Sequence, residues 1–109
     1  MSYQHKELAS GGWSKLSFCE QMANIGSEVE RALNWRTKNT LYYQKAAERA
    51  LELLDLTLEA VTSFPQRREV ARLREAIVDY FFGTNEFKST EILWKKYFLN
   101  FTYAARKDA

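Results

Sequence analysis

Between Leu41 and Val61 the chain reads LYYQKAAERALELLDLTLEAV, with no proline or glycine to interrupt it. Tyr43, Ala46, Ala47, Ala50, Leu51, Leu54, Leu58 and Val61 recur at helical spacing. At about 100° per residue they share one face, with Gln44, Lys45, Glu48, Arg49, Glu52, Asp55 and Glu59 opposite. A helix of this kind draws most of its stability from packing that face, so the rest of the chain must supply complementary helices. It does so three times, and no stretch alternates convincingly with the period of two that a half-buried strand requires.

Before this segment, Ser17 opens an S-x-x-E capping box with Glu20. Phe18, Met22, Ile25, Val29 and Leu33 then form a stripe running to about Lys38, with Gly26 at its edge for close packing. Asn39 and Thr40 offer a cap for the second helix, predicted over about Leu41 to Thr62. Pro65 suits the first turn of a third helix ending near Phe82, with Gly83 as a left-handed cap. Ser89 or Thr90 caps a fourth helix continuing to about Arg106. The expected fold is all-α, an antiparallel up-down-up-down four-helix bundle over residues 17–106 behind a polar leader, 1–16. YYQKAAERALELL invites comparison with a tetratricopeptide repeat, but a solenoid needs at least three copies and no second one is present.

Composition narrows the function classes. A chain of 109 residues with 46% apolar and 15% aromatic residues can build one real core. Sixteen basic against fourteen acidic residues is too even to announce nucleic acid, although a local patch remains open. Cys19 stands alone, which excludes an intramolecular disulfide and a cysteine-based zinc site. His5, the single histidine, lies in the leader and is expected to be solvated, so a Ser–His or Cys–His couple would have to carry it onto the folded body. Glycine-rich phosphate loops and the Glu-x-x-His motifs of four-helix di-metal sites are both missing. No cofactor or metal is expected. Without a signal peptide or an apolar run of membrane-spanning length, the expectation is a soluble cytoplasmic protein.

Two features break the pattern. Arg74 falls inside the apolar arc of the third helix, beside Val70, Leu73, Ile77, Tyr80 and Phe81. A guanidinium does not discharge, so a partly buried Arg74 needs a partner. An ion pair with Glu30, Glu48 or Glu52 on a neighbouring helix, or snorkelling of the guanidinium to water, is the first expectation, and an anion or phosphate site is the second. The fourth helix turns Trp94, Tyr97, Phe98, Phe101, Ala104 and Ala105 inward, yet carries Ile92, Leu99 and Tyr103 as a second apolar stripe. Trp35 and Leu56 also point away from their core stripes. A stripe at helical spacing calls for a cover. Either the leader, with Leu8 and Trp13, folds over it, or a second chain does, most simply in a symmetric dimer.

RALNWRTKNTLYYQKAAERALELLDLTLEAV followed by REAIVDYFFGTNEF resembles the HEPN family of small prokaryotic helical bundles. Members are often dimeric and often partnered with nucleotidyltransferases. Their active ribonucleases carry an arginine, commonly followed by a polar residue, with a histidine four to six residues on. By that resemblance Arg74 matches the arginine, Glu75 the polar position and Tyr80 an aromatic that often follows the histidine. Asp79 stands where histidine should be. A carboxylate there could not easily protonate a leaving 5′ oxygen and would repel phosphate, so the resemblance implies a catalytically lapsed member. The chain as a whole also resembles short bacterial and archaeal proteins, which implies no activity.

Three function classes follow. The leading one is a non-catalytic, homodimeric interaction module. The alternative is a nucleotide- or RNA-binding protein using Arg67, Arg68, Arg72 and Arg74 with Lys95 and Lys96. The third is an enzyme built on Glu48, Glu52, Asp55 or Asp79, residues that otherwise read mainly as a solvated face.

Overall fold

The computed structural model describes residues 11–107, and it is a four-helix bundle. The helices are α1 (Phe18–Trp35), α2 (Thr40–Ala60), α3 (Phe64–Phe82) and α4 (Glu91–Lys107), with no strand among the described residues. Local chemistry fixes most of the ends. Ser17 Oγ accepts the backbone N–H of Glu20 at 3.1 Å while the Glu20 carboxylate accepts that of Ser17 at 3.0 Å. This is the reciprocal satisfaction of two orphan donors that the sequence implied. Asn39 Oδ1 accepts from Tyr42 N at 3.0 Å, and Thr90 Oγ1 from Leu93 N at 3.2 Å.

Gly83 departs from expectation. Its φ is −112°, so it is not a left-handed cap. Positive φ values fall instead at Asn85 (58°) and Lys88 (54°), inside the loop that follows. The reason is Asp79, which gathers that loop with its carboxylate, so the reversal is displaced past the helix end.

α1 packs against α2 and α4, and α2 packs against α3 and against a short 3₁₀ turn at Trp13–Lys15. That turn corrects the domain boundary. Trp13 is buried in the core, its indole N–H donating to Thr57 Oγ1 at 2.9 Å and its carbonyl accepting from Gln21 Nε2 at 2.9 Å. The folded unit therefore begins no later than Trp13, not at Ser17. His5 and Leu8 lie outside the described residues.

Because α2 has neighbours on three sides, its buried residues cover about 220° of the helix at about 100° per residue, from Glu52 round to Ala47. Leu56 lies within that arc. Expected to point outward, it is only 5% exposed and belongs to the core cluster. At Gly26 the α1–α4 contact is so close that an added Cβ would lie 2.7 Å from Cβ and Cγ of Phe98. The glycine serves close packing, as its place at the stripe's edge suggested.

Among the described residues, α3 and α4 form the loosest side of the bundle. Their backbones stay apart and they meet through long side chains: the Tyr80 and Trp94 rings lie 5.8 Å apart, and Tyr97 reaches Glu69.

Candidate functional site

Chemistry-bearing residues gather along that open side. The α3 wall is the ridge Pro65, Arg68, Glu69, Arg72, Leu73 and Ala76, which repeats every three or four residues and runs roughly 16 Å. The α4 wall comprises Leu93, Trp94, Lys96, Tyr97 and Asn100, with Ser89 at one end. Between them lies an open cleft of about 880 Å³, mostly apolar in lining. Three cations, Arg68, Arg72 and Lys96, stand on it against one carboxylate, Glu69.

Glu69 is engaged. Tyr97 donates its phenolic hydrogen to Glu69 Oε2 at 3.1 Å, and Tyr97 is itself partly buried. Burial first, then the Glu69 charge and their hydrogen bond, push the Tyr97 phenol well above its usual value. Tyr97 is therefore a neutral donor across the physiological range, tying α3 to α4 at the cleft. Trp94, also on the cleft, is 6% exposed, and its indole N–H is buried with no acceptor among the described residues. An unpaired buried donor costs about 1–3 kcal/mol.

The arginines of the sequence motif divide. Arg68 and Arg72, one turn apart, both reach the cleft, and Arg68 also lies over the exposed Phe64 ring at 5.8 Å. Arg67 is exposed but does not line the cleft. Arg74 turns to α2, where its Nε donates to Asp55 Oδ1 at 2.8 Å. The ion pair was foreseen, its partner was not: Asp55, read as a solvated outer residue, takes the place expected for Glu30, Glu48 or Glu52. Both side chains are 40% exposed, so the pair is shared with water rather than buried.

Asp79 does not converge with Arg74. Five residues apart, they lie about 140° from one another around α3. Asp79 Oδ1 accepts from Glu86 N at 2.7 Å and Oδ2 from Phe87 N at 3.0 Å. Tyr80 is buried, and its hydroxyl accepts from Arg36 Nη1 at 2.6 Å. Arg74, Asp79 and Tyr80 are thus each held by a different neighbour, and Glu75 is exposed. Among the described residues no group of three or more His, Cys, Asp or Glu could hold a metal ion, and no helix is long and apolar enough to cross a membrane.

The second candidate surface is the outer face of α4. Ile92, Leu99 and Tyr103 are 65%, 65% and 69% exposed. Trp13, one of the two leader residues offered as their cover, is instead committed to Thr57 on α2. Trp35 is partly exposed, and its ring packs edge-on to Tyr42 at 4.9 Å, at the α1–α2 corner rather than in the α4 stripe. Leu56, being in the core, is unavailable to an interface.

Comparison of the chain with protein-family models, curated proteins and solved structures returns no match. The α3–α4 cleft was not legible as a unit from the sequence. Arg68 and Arg72, four apart beside Glu69, Leu73 and Ala76, were its one local signal. Trp94 and Tyr97 read as ordinary core residues because their spacing is that of a core stripe.

Proposed function

We propose that this chain is a non-catalytic helical interaction module of HEPN-like type that works as a homodimer, paired through the outer face of α4. The supporting observation is the Ile92–Leu99–Tyr103 stripe, three large apolar side chains at helical spacing on the side away from the core. A two-fold interface must be self-complementary, and α4 meets that condition when set antiparallel to its copy about Leu99. Leu99 then faces itself, Tyr103 faces Lys95 of the second copy, and Ile92 faces the aliphatic stem of its Arg106. Glu91 at one helix end falls near Lys107 at the other. In sedimentation velocity at micromolar concentration the protein should run as a dimer. Leu99→Glu should shift it to monomer, because an unpaired charge at the centre of the pairing is costly. A wild-type monomer at high concentration rejects the reading.

A second reading, contact with a nucleotide or RNA, draws support from Arg68, Arg72 and Lys96 standing on one cleft. Arg74 is held by Asp55 and contributes less than its place in the sequence suggested. RNA affinity falling steeply with added salt is the signature of this reading.

A further inference from the structure

We propose that the groove between α3 and α4 is the docking site for an acidic amphipathic helix of a partner protein. This names the partner chemistry of the interaction module and rests on that reading, though not on its dimer.

The groove is the missing side of the bundle. Three helix pairs pack closely, whereas α3 and α4 are bridged only by side chains, leaving a channel open along its length. A helix laid in such a groove presents residues at positions i, i+3, i+4 and i+7, and the α3 ridge has the same spacing. Its apolar face would meet Leu73, Ala76, Leu93 and Trp94. Leu93 is 55% exposed beside the channel, so its side chain is accessible to an incoming helix.

Charge selects the helix. Arg68 and Arg72 line one wall and Lys96 the other, while Glu69 already accepts from Tyr97. The three cations therefore match glutamates or aspartates flanking an apolar stripe, and a basic helix would be repelled. Shape favours a helix over a small molecule: sites for small ligands enclose most of the ligand, and this channel is open.

The test uses the full chain and fluorescence anisotropy with a labelled synthetic peptide, leucines at helical spacing flanked by glutamates. A counterpart with every glutamate replaced by lysine, and a single-stranded RNA, serve as competing probes. The glutamate peptide should bind at least about tenfold more tightly than the lysine peptide. The double variant Arg68→Glu, Arg72→Glu should weaken it by about tenfold or more, and Leu93→Glu should do likewise. All three positions are exposed, so the fold should survive and circular dichroism should be unchanged. Leu99→Glu, which tests the dimer, should leave peptide binding intact, and the Trp94 indole N–H resonance should move on binding. No binding of the glutamate peptide at roughly 100 μM overturns the proposal. So does equal affinity for both peptides, binding that survives the arginine reversals, loss of binding in Leu99→Glu, or tighter binding of the RNA. Displacement of the peptide by one of residues 1–10 would assign the groove to this chain's own leader and also reject it.

Discussion

Asp79 binds the loop that follows its own helix: one carboxylate oxygen accepts the backbone N–H of Glu86 at 2.7 Å and the other that of Phe87 at 3.0 Å. Its backbone carbonyl meanwhile accepts from Gly83 and Asn85 at 3.1 Å. An aspartate at this position therefore has a structural explanation that needs no lost histidine. Asp79→Ala should cost about 1–2 kcal/mol in urea denaturation, the net worth of two hydrogen bonds to a charged group near the surface. Amide exchange at Glu86 and Phe87 should accelerate. Asp79→His should also destabilise, because one imidazole cannot offer two separate acceptors in this geometry. Unchanged exchange at those two amides would show that the loop holds itself.

Arg74 and Asp55 form a pair that water reaches. Arg74→Met should therefore lower stability by about 0–1 kcal/mol, not the roughly 3–5 expected when a buried pair is broken. Asp55→Asn should behave similarly, and a double-mutant cycle in chemical denaturation should return a small coupling. A loss above about 3 kcal/mol for Arg74→Met would mean the pair is more desolvated than its exposure indicates.

At the α1–α4 contact, Gly26→Ala sets two effects against each other. Alanine favours the helix by about 1 kcal/mol, but its Cβ would overlap Cβ and Cγ of Phe98, and that Cβ is fixed by the α4 backbone. Overpacking typically costs about 1–3 kcal/mol, so the net expectation is a loss of about 1–2 kcal/mol in thermal or urea unfolding. Gly26→Leu should be worse. A neutral or stabilising Gly26→Ala would mean that α4 can move outward freely.

Two tyrosines should resist ionisation. Burial raises the Tyr97 phenol strongly, aided by Glu69. Burial also raises Tyr43, with the Tyr80 contribution adding to it and Arg36 opposing it. Each group is easier to ionise in the unfolded chain, near pH 10. The stabilisation is thus fully present below about pH 10 and is lost as pH rises toward the folded values. Absorbance near 295 nm should show Tyr43 and Tyr97 lagging, with Tyr97 released only as the bundle opens. Tyr97→Phe should remove that last step and weaken the α3–α4 link. All tyrosines titrating together below the unfolding transition would contradict this.

Helix number, order and approximate ends were legible in the sequence because each rests on short-range chemistry. The Ser17–Glu20 box, the Asn39 cap and the apolar repeat from Tyr43 to Val61 all act within a few residues of one another. The sequence also showed that Arg74 falls inside an apolar arc and that Ile92, Leu99 and Tyr103 form a face of their own, since both follow from the helical period. What it could not determine was how much of each helix its neighbours cover. α2 is covered on three sides, which buries Leu56 and gives Trp13 a partner in Thr57, forty-four residues away. α3 and α4 are held apart along the bundle's open side, which turns Arg68, Arg72, Lys96, Trp94 and Tyr97 into the walls of one groove. Asp55, rather than a glutamate, receives Arg74 because helix rotation sets which carboxylate lies within 2.8 Å. Periodicity specifies a helix's face to within a turn, whereas pairing and rotation depend on the packing of several helices at once.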